Sequence, residues 1–144
     1  MLPTLAGGGA ERVILNLSCN LDRTRFTPSL LVIDSKGPLA RDIPPELPFH
    51  SLERGRLRKG IIPLILELRR RAPDFVVSTL GYVNVALALC SALLPKECRL
   101  ILREANTPSI SLAGGGKNAL IRRLYRLTYP RADLILCPSE LIRA

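Results

Sequence analysis

Three short stretches of this chain carry residue types that could do chemistry. The first is Gly7-Gly8-Gly9, where an apolar entry hands over to a helical pattern. A glycine run at such a point turns the backbone through dihedrals closed to other residues and exposes N–H groups beside a positive helix end, where anions bind. A plain flexible turn is the other reading of the same residues. The second stretch holds Asn84, at the start of an apolar helix, where an amide can hold a hydroxyl or a phosphate. The third is Arg103-Glu104-Ala105-Asn106, leaving the end of an apolar strand. Asn84, Arg103, Glu104 and Asn106 can equally serve as caps and loop hydrogen bonds.

Several familiar motifs fail on inspection. G-x-G-x-x-G is broken by Arg12 at its third glycine, and a P-loop ending at Gly116-Lys117 is broken by Ser111 and Asn118. No D-x-D is present to hold a divalent metal on a sugar nucleotide, and His50, the one histidine, suggests no Ser-His-Asp set. Cys19, Cys90, Cys98 and Cys137 lie far apart without C-x-x-C spacing, so they read as reduced, buried thiols rather than metal ligands. Leu-Ala-Gly-Gly-Gly occurs at residues 5–9 and again at 112–116, but the flanking sequences differ, which makes these two loops rather than a duplication.

The elements that must position these residues alternate along the chain. Val13, Ile14, Leu17 and Leu21 recur at helical spacing and predict an amphipathic helix over residues 10–22. Residues 29–33 predict a buried strand, prolines 44, 45 and 48 forbid regular structure, and 49–52 predict a short strand. Residues 53–60 read as a basic loop, followed by a helix over 61–71 with Pro63 in its first turn. A strand over 74–78, a turn at 79–82 and a nearly all-apolar helix over 83–94 come next. A strand over 99–103, a glycine-rich connection over 104–116, a helix marked by Leu120, Leu124 and Leu127, and a strand over 133–137 complete the pattern, with Ser139 as the N-cap of one more helix. Such alternation implies right-handed crossovers and an α/β, Rossmann-like parallel sheet with helices on both faces. Ligands bind such sheets outside the carboxyl ends of the strands, the end to which all three stretches belong.

The chain is one domain's length, 144 residues, and 47% hydrophobic against 23% charged, which suits a folded protein with a real core. Its longest apolar run, residues 83–94, is too short to span a bilayer, and no signal peptide opens it, so a cytoplasmic location is expected. The net charge of +9 biases partners toward anions: nucleotide phosphates, phospholipid surfaces or nucleic acid.

Gly8-Gly9-Ala10-Glu11-Arg12-Val13-Ile14-Leu15-Asn16-Leu17 resembles the opening of the N-terminal domain of family 4 retaining glycosyltransferases of the GT-B fold. Pro73-Asp74-Phe75-Val76-Val77-Ser78, Asn84, Arg103-Glu104-Ala105-Asn106 and then residues 131–139 keep that family's order, so the resemblance covers essentially the whole chain. It implies one of the two domains of a GT-B architecture, spanning 1–144, truncated at both ends and without the C-terminal donor-binding domain. It implies transfer of a sugar from a nucleotide-sugar donor to a sugar or lipid-linked acceptor, with retention, no cofactor and no metal. Gly8 and Gly9 inherit a place beside the donor phosphates, while Asn84, Arg103, Glu104 and Asn106 are carried over as acceptor or sugar contacts.

Departures from the family matter too. The donor domain's spaced glutamate pair is absent, and so is the histidine that many relatives carry near the end of the strand that here ends at Arg103. The expectation is a chain inactive by itself, peripheral on the inner, anionic membrane face. The alternative is a non-catalytic basic Rossmann-like module binding nucleotide or nucleic acid. Against it, phenylalanines and tyrosines are few and tryptophan is missing, so platforms for stacking bases are hard to build.

Overall fold

A computed structural model of the chain describes residues 1–105 and 117–137. Asn106, the second glycine run and the expected Ser139 cap lie outside the described residues. The chain divides into two compact units, Met1–Glu67 and Leu68–Ala144, each with parallel strands.

The first unit holds helix α1 (Gly9–Asn20), strand β1 (Leu30–Val32), strand β2 (Phe49–Ser51) and most of helix α2 (Leu57–Arg71). β1 and β2 pair in parallel, Leu30 to Phe49 and Val32 to Ser51. Leu2 adds one parallel bridge to Val32, donating to Leu31 O at 3.0 Å and accepting from Ile33 N at 3.2 Å. Beyond the bridge, Ile33 O accepts from Arg54 N at 2.9 Å and Pro3 O from Asp34 N at 3.1 Å, which leaves the alternation of a parallel ladder, so the opening segment stays a bridge rather than a strand. Leu2, Leu5, Val32, Ile33, Leu39 and Leu64 are almost wholly buried and form the heart of this unit's core.

α1 and α2 differ from expectation for identifiable reasons. The buried side of α1 is Glu11, Ile14, Leu15 and Ser18, not Val13 and Leu17, each of which is 41% exposed. Glu11 folds back over Gly8, and the Ser18 hydroxyl donates to Ile14 O at 2.8 Å, so two polar residues occupy a face that hydropathy alone assigns to leucine and valine. α2 begins at Leu57, inside the expected basic loop, and Pro63 sits in its interior rather than its first turn. Gly60 continues the helix because Ile33 presses on it: a β-carbon there would lie 2.7 Å from Ile33 Cγ2.

The second unit holds strand β3 (Phe75–Thr79), helix α3 (Gly81–Leu89), strand β4 (Arg99–Arg103), helix α4 (Lys117–Thr128) and strand β5 (Leu134–Leu136). The order is β3-β4-β5, all parallel, with Val77 opposite Ile101 and Ile101 opposite Leu134. The expected single sheet is therefore hydrogen-bonded as two, within an α/β, Rossmann-like architecture. α3 packs against β3, β4 and α4. It is shorter than the apolar run implies, because after Leu89 the chain tightens into a 3-10 turn, Ser91–Leu93, before Pro95. The four thiols are free but only partly buried. No helix among the described residues is long and apolar enough to cross a membrane.

Candidate functional site

The polar centre of the second unit lies at the carboxyl ends of β3 and β4. β3 rises through Val76 and Ser78 to Thr79, all buried, and hands over to α3 in one step at Leu80, whose φ of 77° is in the left-handed half of the map. A branched side chain held there carries strain of about 1–3 kcal/mol. Gly81 opens the helix because the Tyr125 hydroxyl of α4 sits where a β-carbon would go. Tyr125 stacks on Tyr129 with ring centroids 4.6 Å apart.

One turn into α3, Asn84 is completely buried and its amide is fully used. Oδ1 accepts from Ser78 Oγ at 2.6 Å, and Nδ2 donates to Arg103 O at 3.0 Å and to Glu104 Oε1 at 2.9 Å, with a longer approach of 3.5 Å to the Tyr129 hydroxyl. The carbonyl and the carboxyl oxygen need a donor, which fixes the orientation of the amide. Arg103 Nη1 donates to Thr79 Oγ1 at 3.3 Å, and the Glu104 N–H donates to Leu136 O at 3.0 Å. Asn84, Arg103 and Glu104 are thus brought together. Ser78, Tyr125 and Tyr129 join them without having been candidates from sequence, where Ser78 stands only as the last residue of a buried strand.

Burial raises the pKa of the Glu104 carboxyl above its ordinary value, against the smaller opposing effects of the Asn84 hydrogen bond and the Arg103 charge. Tyr125 is pushed up to about 12 by burial and by the charge of Glu104. With its folded pKa raised, Glu104 contributes stability that is full below its unfolded pKa and is lost as pH rises through the folded one. Glu104→Gln keeps an acceptor for Asn84 and removes the ionisation. Thermal melts from acid to neutral pH should therefore show the glutamine variant gaining on the wild type as pH rises, and parallel profiles would contradict the buried carboxyl.

Gly8 and Gly9 belong to the first unit. Gly7 turns at φ 92°, Gly8 is the extended N-cap of α1, and Gly9 is its first residue. The Glu11 carboxylate lies against Gly8, so that a β-carbon on Gly8 would fall 2.5 Å from Glu11 Oε2. The positive helix end already faces a carboxylate of its own. Beside Gly9 there is open space: a β-carbon would meet nothing within 4 Å. Arg12 Nε donates to Gly7 O at 3.3 Å and pins the loop from outside.

The sequence profile described as Glycosyltransferase Family 4 matches residues 7–144. The chain belongs to glycosyltransferase family 4. The two polar centres of this family 4 chain, the glycine loop and the Asn84 cluster, both fall within the matched region. No curated protein matches the sequence. Among the described residues of the family 4 chain, no three His, Cys, Asp or Glu side chains gather as a metal ion would require. What the Asn84 cluster offers chemically is a half-buried guanidinium, Arg103, beside a rigid hydrogen-bonded network of Ser78, Asn84 and the buried Glu104 carboxyl.

Proposed function

We propose that this family 4 domain is the acceptor-side half of a retaining, hexose-transferring enzyme that moves a sugar from a nucleotide-sugar donor to a sugar or lipid-linked acceptor, with no metal in the chemistry. The observation that carries this reading is the placing of Arg103 and Glu104 at the carboxyl ends of parallel strands, where Asn84 holds the Arg103 carbonyl and the Glu104 carboxyl. A guanidinium donates to sugar hydroxyls, so the half-buried Arg103 suits a polyhydroxylated ligand, while Glu104, 4% exposed, would meet one only through an oxygen not held by Asn84. Asn84 acts through them as a positioning residue, since its amide is spent on Arg103 O and Glu104. Asn106 joins the site by its place in sequence. The donor phosphates approach the α1 terminus on the open side of Gly9, away from the Glu11 carboxylate.

The same reading makes the domain inactive without a donor-binding partner domain and places it peripherally on the cytoplasmic face of an anionic membrane, as its net charge of +9 favours. Against the nucleic-acid reading, aromatic side chains are few and tryptophan is missing.

Amide NMR titration tests the proposal. UDP-glucose and GDP-mannose are expected to shift the amides of residues 7–12, and methyl glycosides of glucose, galactose or mannose those of Thr79, Arg103, Glu104 and Ala105. The absence of both sets of shifts would overturn the site assignment, and turnover of either nucleotide sugar by the isolated chain would overturn its dependence on a second domain.

A further inference from the structure

The outer side of α2 combines two features that sugar transfer does not use. Ile62 and Leu66 are 71% and 62% exposed, the most open of the large hydrophobic side chains among the described residues. One turn apart, they share a helix side with Arg58 and Lys59, both exposed, while Leu64 and Leu68 on the opposite side are buried. The loop before the helix adds exposed Arg54 and Arg56. Against these cations, residues 53–66 hold one acidic side chain, Glu53, whose carboxylate is engaged by Ser35 and Ser51.

An apolar pair ringed by cations fits a partner that is anionic at its skin and apolar just beneath. A nucleic acid would use the arginines but not Ile62 and Leu66, and residues 53–66 contain no aromatic side chain on which a base could stack. We propose that the first turns of α2, with the preceding basic loop, dock on an anionic phospholipid bilayer. Ile62 and Leu66 enter between headgroups while Arg54, Arg56, Arg58 and Lys59 meet the lipid phosphates. The inference rests on the peripheral-membrane part of the proposed function and specifies the surface that makes the contact.

The chain has no tryptophan, so Leu66→Trp is a single fluorescent reporter, with Leu93→Trp in the second unit as its control. On adding phosphatidylcholine vesicles that contain phosphatidylglycerol, Leu66→Trp should shift to the blue and be quenched by brominated acyl chains, and Leu93→Trp should not. In flotation, each cation removed should weaken binding about five-fold at low salt, so the triple change Arg56→Ser, Arg58→Ser, Lys59→Ser loses about a hundred-fold. The pair Ile62→Ser and Leu66→Ser should lose binding in the same assay while keeping the native circular dichroism spectrum, because both side chains are exposed. An unshifted Leu66→Trp, equal flotation on pure phosphatidylcholine, undiminished binding by the serine variants, or oligonucleotide binding without flotation would each overturn the proposal. None of these readouts needs a sugar, so a domain that answers methyl glycosides but ignores vesicles would leave the transferase reading standing and remove this one.

Discussion

Asn84→Ala is expected to cost about 3–5 kcal/mol, a large part of the stability of a unit this small. The substitution leaves the Ser78 hydroxyl, the Arg103 carbonyl and the Glu104 carboxyl without the partner they share, and Ser78 and Glu104 are 0% and 4% exposed. Each orphaned buried group costs about 1–3 kcal/mol, because water cannot reach it to compensate. Urea unfolding and amide exchange along β3 and β4 would read the loss, and a cost below about 1 kcal/mol would contradict the network. Asn84→Asp separates the hydrogen bonds from the shape. The new carboxyl can still accept from Ser78, but it stands against Glu104, and like charges raise both pKa values. Such raised groups stabilise the fold in acid and cease to do so as pH rises, so the cost of Asn84→Asp should be small at low pH and grow toward neutrality.

Gly37→Ala should be at least as damaging to the first unit. Gly37 has φ 140°, a region alanine rarely enters, and its β-carbon would overlap the carbonyl of Leu5. That carbonyl cannot retreat freely. It accepts from Leu39 N at 3.1 Å, while Leu5 N donates to Lys36 O at 3.2 Å, so separating the two segments breaks the ties that hold the opening residues to the end of β1. Backbone strain and overlap together predict a loss above about 4 kcal/mol, or no folded first unit at all. Gly9→Ala is the matched control, since its β-carbon meets open space in the first turn of α1 and a helical alanine is favoured over glycine by about 0.5–1 kcal/mol. Paired thermal melts should move in opposite directions for the two alanines.

How far the sequence could be read varied with the range of the interaction. β3 and β4 were legible from Phe75-Val76-Val77 and Leu100-Ile101-Leu102, because a run of branched and aliphatic residues between turn signals states its own conformation. The inward side of α1 was not, since Glu11 and Ser18 are buried through contacts with Gly8 and Ile14 O that hydropathy does not weigh. The start of α2 was hidden for a similar reason: Arg56, Arg58, Lys59 and Gly60 look like a loop by composition, yet Lys59 N and Gly60 N both donate to Arg56 O and the turn closes. The sequence places Asn84 near the start of a helix and leaves open whether its amide meets a ligand or the protein itself. Its partners are Ser78, Arg103 and Glu104, and no local spacing reports whether an amide points to solvent or to a carboxyl 20 residues on.

The amino-acid sequence by itself determined the alternation of strands and helices, the parallel α/β class, the glycine run at the head of α1 and membership of glycosyltransferase family 4, because periodicity, turn chemistry and motif order are properties of neighbouring residues. The tertiary structure decided which polar residues are spent on one another and which remain open. It tied Asn84 to the support of Glu104, turned Glu11 onto the terminus that Gly8 caps, and left Gly9, Ile62 and Leu66 facing outward. Burial is a relation between residues far apart in the chain, and only packing assigns it.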